Sequence, residues 1–233
     1  MPKKLNEKEY GTDKGIQFLR KYENHFNHLV NEKINLLELG ILKGDSLLMW
    51  RDYFDKGTIV GLDINPIELN DPTNRIHVYQ GFQEDKKTLD KIRKETAKDG
   101  FDIIIDDASH IGELTKVSFW HLFDNHLKPG GSYVIEDWGT GYWGIWPDGE
   151  KYVISDPHMI GGGIHQCKHQ FKSHNSGMVG FIKQLVDEQA MAIITRPDRG
   201  NKIPERKSKF LKMEIFLGQV FIYKNPKGSI KKV

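Results

Sequence analysis

Apolar runs of strand length alternate along the chain with segments whose apolar residues recur every three to four positions. The runs that favour strands are Ile34–Leu39, Thr58–Asp63, Arg75–Gln80, Ile103–Ile105, Ser132–Glu136, Ala190–Thr195 and Met213–Tyr223, the last with a bend at Gly218. The segments that favour amphipathic helices are Ile16–Val30, Ser46–Tyr53, Asp85–Ala97, Glu113–His126 and Met178–Gln189. This alternation predicts an α/β fold with a mostly parallel sheet, because parallel strands need long crossover connections.

The chain has the size and composition of one α/β domain. Its 233 residues, 38% of them hydrophobic, can bury a sizeable core. We divide it into an N-terminal extension and helix at 1–30, a main domain at 31–224 and a basic tail at 225–233. Residues 138–176 are expected to form an irregular lid or substrate loop, since they are rich in glycine and aromatic residues. The polar segment Lys3–Tyr10 is expected to be loosely held.

The charge balance and the cysteine content narrow the choice of partners. There are 34 basic and 32 acidic residues, and the formal net charge of +2 is too small to imply nucleic acid or an anionic membrane as the main partner. The single cysteine, Cys167, rules out an internal disulfide and fits a reducing compartment. No apolar run approaches the roughly 20 residues that span a bilayer, and the N-terminal segment lacks a signal-peptide core. We therefore expect a cytoplasmic protein that acts on a small molecule.

Acidic residues gather where two neighbouring strands of the predicted sheet end. Asp106 and Asp107 end one strand, with His110 three positions later, and Glu136 and Asp137 end the next. Ligands of open α/β sheets bind at the carboxyl ends of the strands. Two carboxylate pairs there would repel each other, and a divalent cation is the simplest remedy. His110 is a candidate base, because histidine commonly takes up protons at neutral pH. Asp106 is expected to face a cofactor or to brace the site.

The first three strands end in residues that suit a nucleoside cofactor carrying an amino acid. Gly40 lets the backbone approach such a cofactor closely, and Glu38 can hold its ammonium group. The loop lacks the three glycines of a dinucleotide-binding fingerprint. Asp63 is placed to accept hydrogen bonds from ribose hydroxyls, although it could instead cap the following turn. Phe82 could stack on a purine and Gln83 could bind its edge; a core phenylalanine is the alternative.

Two further motifs have structural as well as chemical interpretations. Residues 155–176 contain four histidines and Cys167, which suggests zinc, but the H-x-C-x-H spacing does not match the usual structural zinc sites. We favour a wall over the site that supplies polar contacts to substrate. The motif GTDKG at 11–15 is interpreted as a turn with a helix cap.

Several longer motifs occur together in the order found in a known enzyme family. They are GTDKG, YENHF, LLELGILKGDSLLMWRDYF, IVGLDI, FDIIIDDASH, SFWHLFDNHLKPGGSYVIEDWGTGYW and VFIYK. The chain resembles the S-adenosylmethionine-dependent, metal-requiring sugar O-methyltransferases of natural-product pathways, such as those acting on the macrolide deoxysugars of mycinamicin and tylosin. The resemblance implies a Rossmann-like class I methyltransferase fold, with a seven-stranded sheet and helices on both faces. It also implies S-adenosylmethionine and Mg²⁺ or Mn²⁺ as cofactors.

The resemblance assigns roles to individual residues. Asp107, Glu136 and Asp137 match the metal ligands, and His110 matches the proposed base, so Asp107 and His110 are the expected catalytic residues. Ala108 departs from the glycine that is usual in this motif, a change that suitable backbone torsions would tolerate.

A second departure from the family pattern concerns the residue expected to contact the adenine of the cofactor. Phe82 stands where the family commonly has an aspartate after the third strand, which leaves that contact open.

The reaction implied is in-line attack of a substrate hydroxyl on the sulfonium methyl group. A metal would lower the pKa of the hydroxyl and His110 would take its proton. The acceptor would be a sugar-containing or other hydroxylated small molecule, and relatives lead us to expect an oligomer of identical chains. Two alternatives stay open. A metal-dependent hydroxylase would need two histidines and a carboxylate at iron, of which only His110 is in place, and a non-catalytic protein would bind S-adenosylmethionine without turnover.

Overall fold

The computed structural model describes residues 3–152, 176–200 and 204–226, and is built around a seven-stranded sheet. The strands are β1 (Asn35–Leu39), β2 (Thr58–Asp63), β3 (Ile76–Gln80), β4 (Phe101–Asp106), β5 (Leu127–Glu136), β6 (Phe210–Ile215) and β7 (Gln219–Lys224). Their order is β3-β2-β1-β4-β5-β7-β6; the first five run parallel, β7 is antiparallel to β5, and β6 is antiparallel to β7. The expected seven-stranded, mostly parallel sheet is confirmed.

Helices cover both faces of this sheet. They are α1 (Glu7–Tyr10), α2 (Ile16–Phe26), α3 (Asp45–Tyr53), α4 (Lys86–Thr96), α5 (Gly112–Asn125), α6 (Pro147–Tyr152), α7 (Gly177–Gln189) and α8 (Met191–Ile194), with 3₁₀ turns at Asn27–Leu29, Trp138–Tyr142 and Pro197–Arg199. Successive strand residues face opposite sides, so Ile104 packs with α4, α5 and α7 while Ile105 packs with α2 and α3. The central strands β1, β2 and β4 are therefore buried on both faces, as the strands of parallel sheets usually are. None of the described helices is long and apolar enough to cross a bilayer.

Two of the strands predicted near the C-terminal end are wrong. Ala190–Thr195 contains helix α8, which begins two residues after the end of α7. The Thr195 hydroxyl donates a hydrogen bond to the Met191 carbonyl at 2.7 Å, a contact across one helical turn. Met213–Tyr223 is divided between β6 and β7, which form an antiparallel hairpin. Gly218 supplies the turn with a φ of +79°, a conformation that favours glycine. The count of seven is preserved because β6 replaces the wrongly predicted sixth strand.

Two segments expected to be irregular or loose contain ordered elements. The lid region begins with the 3₁₀ turn at Trp138–Tyr142 and continues into α6. Within Lys3–Tyr10, Leu5 is buried and its N–H donates to a carboxylate oxygen of Glu23 at 2.6 Å. The N-terminal segment is therefore attached to α2. The rest of the expected lid, with the histidine-rich segment, and residues 227–233 of the tail lie outside the described residues.

Close packing of two loops brings the ends of β1 and β4 together. Gly40 has a φ of +78°, and a Cβ atom built on it would lie 2.2 Å from the backbone oxygen of Asp107. Only glycine can occupy this position without moving one of the loops. Gly40 was expected to allow close approach of a cofactor; in the structure it allows close approach of the loop that carries the predicted catalytic residues.

Candidate active site

A cavity of about 970 Å³ opens at the carboxyl ends of the central strands. It lies where β1 neighbours β4, the point at which the strand order reverses and where open α/β sheets usually bind their ligands. The strand ends contribute Glu38, Asp63, Asp107 and Glu136, and residues 11–18 form one wall. The volume is that of a small-molecule or cofactor site.

Lys14 is a buried cavity residue that the sequence did not reveal as part of the site. Its side chain is buried, and its Nζ lies 2.7 Å from Oδ2 of Asp107 and 3.0 Å from Oε1 of both Glu136 and Glu38. The first two partners are 93 and 122 positions away along the chain, so no local pattern could reveal the contacts. The available signal was indirect: a lysine in a turn motif, in a chain whose clustered acids required a cation.

One ammonium group does not neutralise the acids around it. Burial, reinforced by Asp107, raises the pKa of Glu136 to about 8, and burial together with Asp107 also raises the pKa of Asp137. Burial acts to lower the pKa of Lys14, but the neighbouring carboxylates outweigh it and raise that pKa well above its usual value. Three carboxylates contact this one ammonium group, and a divalent cation would offset the remaining negative charge. The donor set therefore fits the expected metal.

Asp107, His110 and Asp137 converge at the floor of the cavity. One ligand atom from each lies within 4.8 Å of the others, and Nε2 of His110 is 3.7 Å from Oδ1 of Asp107. His110 and Asp137 have left-handed backbones, with φ of +54° and +51°, a strain that is often found at functional sites. Glu136, the remaining predicted ligand, accepts hydrogen bonds from the buried lysine and from the hydroxyl of Tyr22. The structure thus groups two of the three predicted metal ligands with the predicted base.

Asp106 points away from the cavity and into a buried hydrogen-bond network. Its carboxylate accepts from the Tyr133 hydroxyl at 2.8 Å, the Ser118 hydroxyl at 3.1 Å and Nε2 of Gln83 at 3.3 Å. Burial raises the pKa of Asp106 to about 6. The Oε1 atom of Gln83 accepts from the backbone N–H of Ser109 at 3.0 Å. This geometry favours the bracing alternative for Asp106, and it gives Gln83 the same task of holding the loop after β4.

Glu38 was expected to hold the ammonium group of an amino-acid cofactor. In the structure its Oε2 accepts from the Ser46 hydroxyl at 2.7 Å and from the Trp50 indole at 3.1 Å, and its Oε1 faces Lys14. Burial raises the pKa of Glu38 against the opposing effect of Lys14. Glu38 therefore has an ammonium partner within the chain, and its predicted role toward the cofactor stays a prediction.

Asp63 and Phe82 lie at or beyond the rim of the cavity. Oδ2 of Asp63 accepts from the backbone N–H groups of Ile41 and Leu42 at 3.0 and 3.1 Å, which ties the end of β2 to the loop after β1. Phe82 is 62% exposed, which excludes the core alternative, and it is not among the residues that line the cavity in the described part of the chain. Ribose binding by Asp63 and purine stacking by Phe82 remain predictions.

A second wall of the cavity is held in place by one buried carboxylate. The ring of Trp146 meets that of His110 edge to face, with centroids 5.1 Å apart. Two residues later, Oδ2 of Asp148 accepts from the backbone N–H groups of Gly112 and Met178, both at 2.7 Å. These groups lie in the first turns of α5 and α7, where backbone N–H groups lack partners within the helix. Asp148 therefore anchors the 138–152 segment to two helices.

We predict that Asp148→Ala loosens this wall. Each amide left without an acceptor costs about 1–3 kcal/mol, so urea unfolding should show a clear loss of stability. Hydrogen exchange should rise first within 138–152, since that segment loses its anchor. Asp148→Asn keeps one carbonyl oxygen and is the matched control, with a smaller loss. Equal stability of Asp148→Ala and the unaltered chain would contradict the anchoring role.

The sheet order, the helices on both faces and the cavity at the switch point define the Rossmann-like class I methyltransferase fold. One solved structure with this fold is the MycE methyltransferase of the mycinamycin pathway in complex with Mg and SAH. It matches this chain with a TM-score of 0.73 and 30% sequence identity, and the match covers 97% of this chain and 55% of that chain. A further solved structure of that enzyme also contains mycinamycin VI. No known protein-family profile matches the chain.

Curated relatives agree with this structural likeness. The chain is 41% identical over 133 residues to mycinamicin VI 2''-O-methyltransferase of Micromonospora griseorubida, a match that covers 54% of this chain and 32% of the relative. It is 37% identical over 170 residues to demethylmacrocin O-methyltransferase of Streptomyces fradiae. This match covers 69% of this chain and 42% of the relative. The chain is thus homologous to natural-product sugar O-methyltransferases, which confirms the resemblance, although it spans less than half the length of the curated relatives it matches.

Proposed function

We propose that this chain transfers a methyl group from S-adenosylmethionine to a hydroxyl group of a sugar-containing small molecule. The observation that carries the proposal is the convergence of Asp107, His110 and Asp137 on the floor of a cofactor-sized cavity. The likeness to enzymes named for this reaction supports it, as does a solved relative that contains Mg and SAH. Two acids and a histidine suit a reaction in which a hydroxyl must be oriented and deprotonated.

Each group at the cavity floor has a distinct task in this reaction. Asp107 and Asp137 would hold a divalent cation, with Glu136 as a further ligand if it leaves its present partners. When bound, such a cation would orient the acceptor hydroxyl and lower its pKa. Nε2 of His110 lies 3.7 Å from Oδ1 of Asp107, one of the oxygens that would hold the cation. His110 would take the hydroxyl proton as the oxygen attacks the methyl carbon.

The surrounding protein keeps these groups in position and limits access of water. Trp146 covers one side of the imidazole of His110, and the brace through Asp106 and Gln83 fixes the loop that carries it. Residues 11–18 form a further wall of the cavity. Positioning of this kind accounts for much of the rate enhancement of a displacement reaction.

We predict that methyl transfer depends on a removable divalent cation. Treatment with EDTA followed by dialysis should abolish formation of S-adenosylhomocysteine and of the methylated acceptor, and addition of Mg²⁺ should restore both. The assay is mass spectrometry of free deoxysugars and glycosylated macrolides for the gain of one methyl group. Zn²⁺ should restore less activity, since oxygen-rich sites favour hard cations.

Two outcomes of this assay would contradict the proposal in different ways. Undiminished methyl transfer after metal removal would mean that the acids serve only a structural purpose. Calorimetric binding of S-adenosylmethionine without turnover of any acceptor, with Mg²⁺ present, would support a non-catalytic binding protein. The hydroxylase alternative is not favoured, because His110 is the only histidine that lines the cavity within the described residues.

A further inference from the structure

Two histidines and an aspartate converge on the surface near the amino-terminal end of β4, whereas the cavity lies at the carboxyl ends of the strands. Asp90 lies on α4, His121 lies on α5, and His126 follows the end of α5. Nε2 of His121 and Nε2 of His126 lie 2.7 and 2.6 Å from the same atom, Oδ1 of Asp90. One ligand atom from each of the three side chains falls within 4.8 Å of the others.

This cluster is separate from the candidate active site. The carbonyl of His126 accepts the backbone N–H of Phe101, which is the first residue of β4, whereas Asp106 ends the same strand beside the cavity. A six-residue strand spans about 17 Å between its first and last residues. A ligand held by Asp90 would therefore be a different ligand from one held at the cavity floor.

We propose that Asp90, His121 and His126 form a second metal site, which takes a borderline divalent ion of the Zn²⁺, Co²⁺ or Ni²⁺ class. Two imidazole nitrogens and one carboxylate oxygen are the donors that such ions prefer, whereas Mg²⁺ prefers oxygen alone. The site has three protein ligands, and the exposed side of Asp90 leaves a coordination position open to water.

Two of the three distances between ligand atoms need little change to hold such an ion. Zinc bonds of about 2.0–2.1 Å in a tetrahedral site separate neighbouring ligand atoms by about 3.3 Å, so the two nitrogen-to-oxygen distances must each open by roughly 0.6 Å. The side chain of Asp90 is 55% exposed and can make this adjustment by rotation, while His121 and His126 are 13% and 8% exposed and provide a fixed pair.

Contacts already present join the elements that carry the cluster. Both imidazoles lie within hydrogen-bond distance of one carboxylate oxygen of Asp90. An ion bound here would link α4 to α5 and stabilise the amino-terminal edge of the sheet.

Metal titration of the full chain in excess Mg²⁺ tests the proposal. The unaltered chain should bind one more equivalent of Zn²⁺ than His121→Asn or Asp90→Asn, and that equivalent should raise its thermal midpoint, a rise that neither of these variants should show. His77→Asn, which changes an exposed histidine outside the cluster, is the matched control and should behave like the unaltered chain. Comparing stoichiometries removes the contribution of any other histidine or acid.

A second measurement needs no substitution in the cluster. Co²⁺ bound to the unaltered chain should shift the imidazole NMR signals of His121 and His126 together, and the d–d absorption band should have the intensity of a low-coordinate site. Equal Zn²⁺ stoichiometry in all the variants, or unshifted signals from the two histidines, would overturn the proposal. The aspartate would then be only a hydrogen-bond acceptor that joins the two helices.

Discussion

Replacing His110 should lower the rate of methyl transfer by about 10²- to 10⁴-fold, the usual contribution of a general base. The most informative substitution is His110→Asn, because His110 has a φ of +54° and asparagine adopts this left-handed conformation more readily than alanine. Loss of activity in that variant reflects loss of the imidazole rather than a change of backbone. The measurement is single-turnover formation of S-adenosylhomocysteine at saturating Mg²⁺.

The same variant distinguishes two roles that the structure permits for His110. Its imidazole lies in the group of three side chains that could hold a metal, so it could be a ligand instead of a base. If His110 is the base, calorimetry should give the same Mg²⁺ affinity for His110→Asn and for the unaltered chain, while turnover falls. If Mg²⁺ affinity falls in parallel with turnover, the base assignment is wrong. His28→Asn changes an exposed histidine on a 3₁₀ turn and provides the control.

The parts of the fold that sequence predicted well are those with a strong local pattern. The run before Asp106 could be placed as a buried strand because its β-branched residues are continuous, and the acids that follow it fall at a strand end by necessity. The run Ala190–Thr195 has a similar apolar composition and, like β4, is six residues long; apolar runs this short do not by themselves distinguish strand from helix. In the structure this run follows helix α7 directly and is itself helical. Its composition alone does not reveal this influence of the preceding helix.

The candidate site also contains some residues that local sequence patterns predict and others that they do not. Asp107, His110 and Asp137 follow strand ends, so the topology alone brings them together. Lys14 lies in a turn at the start of the chain, and its place among the acids depends on how α2 packs against the sheet. Glu38 illustrates the consequence: its charge was predicted to suit the ammonium group of a cofactor, and in the structure the ammonium group of Lys14 lies 3.0 Å from it.

Lys14→Met should strengthen Mg²⁺ binding by about tenfold or more, which corresponds to about 1.4 kcal/mol. In the unaltered chain the ammonium lies 2.7 Å from Asp107 and 3.0 Å from Glu136, two of the carboxylates expected to hold the metal. A divalent ion must displace or repel that ammonium before it can use the same oxygens. Methionine has a similar length without the charge, so the variant keeps much of the packing while it removes the competing cation.

The metal-free form of this variant should be much less stable. Removing one partner from a buried ion pair costs about 3–5 kcal/mol because the remaining charges stay buried without compensation. Mg²⁺ should restore most of this loss, so the thermal midpoint of Lys14→Met should rise with Mg²⁺ far more than that of the unaltered chain. Lys43→Met, which removes an exposed lysine at the rim of the same cavity, should change neither property appreciably. A folded Lys14→Met protein that binds Mg²⁺ no more tightly than the unaltered chain would show that the ammonium does not compete with the metal, and that the acids require Lys14 for another purpose.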